Sequence, residues 1–147
     1  MKKYIIILCC IIFGSVLIIG CSKNEQDVKN NSPIIKTSTA NKTEIGELLF
    51  EKYLKDSYEN YVNDEGETIN ILNDYNIISS ELTDTQGNDT FLVGIHYEVQ
   101  SIDGYSTVFI TGNGVEYEDN WIKEKYQIVE VKKIRKDKYT IVGAYTG

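Results

Sequence analysis

Between Phe91 and Val99 the chain alternates without a break. Phe91, Val93, Ile95, Tyr97 and Val99 are apolar, and Leu92, Gly94, His96, Glu98 and Gln100 fall between and after them. Successive side chains of a strand point to opposite faces, so this stretch demands a β-strand with one face in a core. A single strand has nowhere to send its backbone hydrogen bonds, so the neighbours must supply a sheet. Tyr75 to Thr83 alternates weakly and is followed by the turn Asp84-Thr85-Gln86-Gly87-Asn88-Asp89. Asp103-Gly104 turns the chain again, with a further strand expected over Tyr105 to Ile110 and another turn at Gly112-Asn113-Gly114. Trp121 to Arg135 reads as a strand with a phase change near Val129, which predicts a bulge there. Lys136-Asp137-Lys138 then turns into Tyr139, Ile141, Gly143 and Tyr145.

Ahead of the strands the period is different. Over Glu44 to Val62, the residues Ile45, Leu49, Phe50, Tyr53, Leu54, Ser57 and Tyr61 fall on one arc at helical spacing. Asn41 or Thr43 suits the cap, and Asn63-Asp64-Glu65-Gly66 supplies the stop. One helix followed by antiparallel strands gives an α+β domain. The expectation is one N-terminal helix packed on a curved antiparallel sheet of four to six strands. About 105 residues from Thr43 onward suffice for one such core. Ser22 to Lys42 is polar, with only Val28, Ile34 and Ile35 large and apolar, and reads as a flexible tether.

The first residues have another logic. Lys2 and Lys3 precede Tyr4 to Ile19, a run without a charge, in the manner of an export signal. The run ends Ile18-Ile19-Gly20-Cys21. That tetrapeptide resembles the lipobox of bacterial lipoproteins. The resemblance implies that the Cys21 thiol receives a diacylglyceryl group, and that a peptidase recognising Ile18, Ile19 and Gly20 cuts before Cys21. The expected organisation is therefore a signal peptide over 1–20, a lipidated tether over 21–42 and a globular domain over 43–147. The chain would be a membrane lipoprotein held on the extracytoplasmic face through lipid on Cys21. The alternative is an uncleaved membrane anchor, since Tyr4 to Gly20 stands at the lower limit of a spanning helix. On the lipoprotein reading Cys9 and Cys10 leave with the signal and Cys21 becomes a thioether, so no disulfide and no catalytic thiol remain. Richness in Ile, Asn, Lys and Tyr fits the AT-rich genome of a Gram-positive bacterium.

Removing Lys2 and Lys3 takes the formal charge from −7 to −9, which argues against nucleic-acid binding and against non-specific docking on anionic lipid. The order of elements resembles cystatin-like and NTF2-like domains, which wrap a bent sheet around a helix. His96 is the only histidine, with Glu98 beside it on the same strand face. Such a pair can serve general base chemistry, although no nucleophile pattern accompanies it. One histidine makes no zinc site, and neither acidic turn has the ligand spacing of a calcium loop, so no metal and no cofactor are expected. Gln100-Ser101-Ile102-Asp103-Gly104 resembles the Gln-x-Val-x-Gly hairpin that cystatins insert into proteases, with Gln100 and Gly104 in the matching positions. Of the eleven tyrosines, Tyr53, Tyr61, Tyr97, Tyr139 and Tyr145 are expected inward, while Tyr58, Tyr105, Tyr117 and Tyr126 are freer to form a binding surface. These features point to a small binding or envelope-accessory domain for a protein, peptide or glycan. The alternative is a small NTF2-like hydrolase or isomerase with a pocket between helix and sheet.

Overall fold

The computed structural model describes residues 32–146. Its main helix, α1 (Lys42–Tyr58), begins where Asn41 accepts a hydrogen bond from the Thr43 amide, 3.1 Å away. Ile45, Leu49, Phe50 and Leu54 point from it into the core and are almost fully buried. Gly46 lets the helix approach the sheet closely, for a methyl group there would stand 2.7 Å from Val93 Cγ2. The helix stops before the expected Val62. Asn63 Oδ1 accepts from the amides of Glu65 and Glu67, which closes a small hairpin of β2 (Tyr61–Val62) and β3 (Thr68–Ile69). That local turn competes with another helical turn and takes Tyr61 and Val62 from it.

The sheet is antiparallel and strongly curled, a half-barrel around α1. It comprises β1 (Ile34–Lys36), β4 (Leu72–Gln86), β5 (Thr90–Ser101), β7 (Trp121–Arg135) and β8 (Lys138–Thr146) in the order β1-β8-β7-β5-β4. The short β6 (Val115–Glu116) pairs with the start of β7. The curl has a cause in the register. β4 spends 15 residues beside the 12 of β5, and the pairing shifts at Asn73, Ile78 and Thr83. Each extra residue bends its strand and increases the twist, so three of them at five-residue intervals coil the edge strand. They also leave that edge a poor template for another chain.

The concave side carries Phe91, Val93, Ile95, Val99, Ile122, Val129, Val131 and Ile141, all buried against α1. The helix-on-curved-sheet architecture read from the sequence is present, with four further local departures. Ile34 to Lys36, expected in the tether, form an edge strand on β8, and Ile35 packs against the core. Tyr105 to Ile110, expected as a strand, contains the short helix α2 (Ser106–Ile110), which presses Phe109 onto the Tyr58 ring at 4.5 Å. Packing there overrides the β-propensity of Thr107, Val108 and Ile110. The turn after β4 is shorter than expected, because Gln86 already pairs with Thr90. The principal bulge of β7 lies at Glu124 rather than near Val129, where the irregularity belongs to the pairing with β8.

Candidate functional site

The bulge at Glu124 organises the middle of the sheet. Ile122 pairs with Val99, but Lys125 pairs with Tyr97, so β7 spends one residue more than β5 between these points. Glu124 takes φ 60, a left-handed conformation that L-residues other than Asn and Asp seldom adopt. The alternation restarts behind it. Lys125, Gln127, Val129 and Val131 face the core, and Tyr126 and Ile128 are turned to the convex face.

Inside, the bulge places an amine in the core. Lys125 is 4% exposed. Its ammonium donates to the carbonyls of Phe109 at 2.5 Å and Asn113 at 2.6 Å and lies 5.7 Å from the Tyr97 ring centroid. Burial without a carboxylate partner pulls it from 10.5 down to about 8. Gln127 accepts a hydrogen bond from the Tyr97 hydroxyl at 3.3 Å, and burial pushes the phenols of Tyr53, Tyr58 and Tyr97 above their ordinary value. This cluster ties α2 and the loop before β6 to the sheet.

Outside, the bulges at Ile78 and Glu124 flank β5 and open a shallow depression of about 250 Å³, lined by Ile78, Ser79, His96, Tyr97, Glu98, Glu124 and Lys125. His96 is exposed and packs against the Tyr126 ring at 4.5 Å. Tyr126 lies over Gly94, where any side chain would collide with its hydroxyl. Glu124 accepts from the Tyr117 hydroxyl at 3.0 Å, and Lys123 sits 5.3 Å from the Tyr117 ring centroid. The depression thus joins an imidazole and two carboxylates to aromatic surface, a combination suited to groups that donate hydrogen bonds or carry positive charge. Among the described residues no hydrogen bond links His96 to Ser79, Glu98 or Glu124, and no group of three or more His, Cys, Asp or Glu is placed to hold a metal.

No protein-family model, curated protein or solved structure matches the chain.

Of the residues singled out in the sequence, His96 and Glu98 do share one face of β5 and one depression. Gln100 and Gly104 do not form a projecting hairpin. Gln100 is held within the fold, donating to the Asp119 carbonyl at 2.9 Å and accepting from Asn73 at 2.6 Å. Gly104, at φ 87, turns the chain toward α2. Tyr145, expected inward, is 49% exposed, because an extra residue at Val142 in β8 turns it out, where its hydroxyl donates to Glu130 at 2.8 Å. Tyr117, expected free for a surface, is 46% exposed; Glu124 and Lys125 carry no such sign in the sequence. The signal for this face was Gly94, whose missing side chain makes room for Tyr126 on the convex face. Cys21, Ile18, Ile19 and Gly20 lie outside the described residues. No described helix is long and apolar enough to cross a membrane.

Proposed function

We propose that this chain is a bacterial lipoprotein, anchored through Cys21 on the extracytoplasmic face of the membrane, whose domain is a small binding or envelope-accessory module. The observation that carries the reading is the succession of Lys2-Lys3, an uncharged run and Ile18-Ile19-Gly20-Cys21. A signal of residues 1–20 would then be removed, and the tether expected over 21–42 would be cut short by β1, which begins at Ile34. The helix wrapped by a curled sheet supports the cystatin-like or NTF2-like kinship as a matter of layout. A binding role draws support from the convex face. Tyr117 and Tyr145 are exposed there, and Tyr126 and His96 stand beside a depression open to solvent. A protein, peptide or glycan surface with hydrogen-bond donors fits such a face.

The test is intact mass after detergent extraction from a Gram-positive host, with wild type compared with Cys21→Ala. Wild type lacking residues 1–20 and carrying acyl chains, with the variant unprocessed or shed, supports the reading. Wild type retaining residues 1–20 without lipid overturns it.

The runner-up is a small hydrolase or isomerase. Its support is the meeting of His96, Ser79 and Glu98 in one depression, which lies on the convex face of the sheet and not between helix and sheet. His96→Ala abolishing turnover of a panel of ester and glycoside substrates would favour it.

A further inference from the structure

Positive charge is concentrated at one place in the fold. From Lys132 to Lys138, five of seven residues are Lys or Arg, in a chain whose formal charge is −7. They form the tip where β7 turns into β8. Lys133 pairs with Tyr139 and Arg135 with Lys138, so Ile134 is bulged out between them and stands 46% exposed. The adjoining β1 adds Lys36 opposite Lys138 and the exposed Ile34. Asp137 is occupied by Lys36 at 3.3 Å. The neighbouring β4–β5 hairpin brings Asp84 and Asp89 to this end, which stays net positive.

The opposite end of the sheet is acidic. Asp64, Glu65 and Glu67 sit on the β2–β3 hairpin, with Asp103, Glu118 and Asp119 nearby. The 12 residues of β5 separate the two ends by on the order of 30 Å. The overall negative charge therefore conceals a segregation that would orient the domain in the field of an anionic surface. The chain also enters the sheet beside the basic end, where the Pro33 carbonyl accepts from the Thr140 hydroxyl at 3.0 Å. From Ser32 back to Cys21 the backbone can reach at most about 40 Å.

We infer that the β7–β8 tip docks on the anionic lipid surface of the membrane that holds the chain. Lys36, Lys132, Lys133, Arg135 and Lys136 meet the headgroups and Ile134 enters the interface. The inference rests on the lipid-anchor reading above. An exposed aliphatic side chain ringed by cations suits an interfacial contact, because the cations attract the surface and the apolar group gains by leaving water. Docking at this end turns the acidic end outward and holds the domain in one orientation.

The experiment uses the full chain, extracted with its lipid and reconstituted into vesicles. One set is phosphatidylcholine alone, the other phosphatidylcholine mixed with phosphatidylglycerol. An environment-sensitive fluorophore is placed on Ile134→Cys or, as a control at the acidic end, on Glu65→Cys. The expected result is a blue-shifted Ile134 label, quenched by a lipid-borne quencher, in the anionic vesicles only. High salt reverses it, and the Glu65 label stays in water throughout. Each Lys→Gln change at positions 132, 133 or 136 lowers the docked fraction relative to undocked roughly fivefold. Acylated protein that floats with anionic vesicles while its Ile134 label stays in water overturns the docking and leaves the anchor standing. Equal burial of the label in both vesicle types also overturns it, since the anchor alone would then account for proximity. Protein that neither carries acyl chains nor floats overturns the anchor and the docking together.

Discussion

Lys125 and Tyr97 stand directly across from each other on β7 and β5, with the ammonium 5.7 Å from the ring centroid inside the core. A buried amine facing a ring and two carbonyls, with no carboxylate, is costly to keep charged. That cost gives the domain an unusual dependence on pH.

Between pH about 8 and 10.5 the folded chain has released the Lys125 proton and the unfolded chain still holds it. Lys125 therefore contributes stability that rises with pH in that window, by on the order of 2 kcal/mol between pH 8 and 10 before the opposing effect of the tyrosines is set against it. Above pH 10 the sign reverses, because unfolded tyrosines ionise while Tyr53, Tyr58 and Tyr97 stay protonated in the core. Urea midpoints measured from pH 7 to pH 11 should pass through a maximum near pH 10. Lys125→Met should lose the rising limb and keep the falling one. Lys125→Ala should cost about 3 kcal/mol at neutral pH, through lost packing and two carbonyls left without their donor. A flat wild-type profile between pH 8 and 10 would count against the buried amine.

Glu124 holds its left-handed conformation at a cost that glycine does not bear. Glu124→Gly should leave the domain as stable as wild type or up to about 1 kcal/mol more stable. Glu124→Val should cost about 2 kcal/mol, since a β-branched side chain suits that backbone worst. Thermal melts of the two variants check the order, and equal melting temperatures would mean that the bulge is not where the register puts it.

Two glycines face opposite sides of the sheet and should respond differently to alanine. At Gly46 the new methyl meets Val93 in the packed core, and the expected loss is about 2–3 kcal/mol. At Gly94 it meets only the far end of Tyr126, which can swing into solvent, and the expected loss is within about 1 kcal/mol. The Gly94→Ala variant should instead shift the His96 ring resonances, because the Tyr126 ring leaves its place 4.5 Å away.

Gln100 ties β5 to Asn73 and to the turn at Asp119. Gln100→Ala should lower stability by about 1 kcal/mol. The full chain should leave papain-like proteases uninhibited, because residues 100–104 lead into a helix and not into a projecting hairpin. Inhibition in a standard peptide-hydrolysis assay would reverse that conclusion.

The run from Phe91 to Val99 and the arc from Ile45 to Leu54 were enough to announce a strand half-buried in a sheet and a helix laid upon it. Both patterns are local, and the burial of one face follows from periodicity alone. His96 and Glu98 shared a face for the same reason. The basic run from Lys132 to Lys138 was visible too, but its place beside the chain's entry and opposite the acidic hairpins came only with the topology. Tyr105 to Ile110 looked like a strand because its side chains favour one. Phe109 found a better place against Tyr58, and packing gained over distance in sequence outweighed local preference. Tyr126 read as free for the surface, but the inward turn of Lys125 and Gln127 had no local sign, since polar side chains in a strand read as the solvent side. One extra residue at Glu124 reversed the faces. A strand's alternation has a period of two, so a single insertion exchanges inside and outside for everything behind it, and only the pairing with β5 determines where that insertion falls.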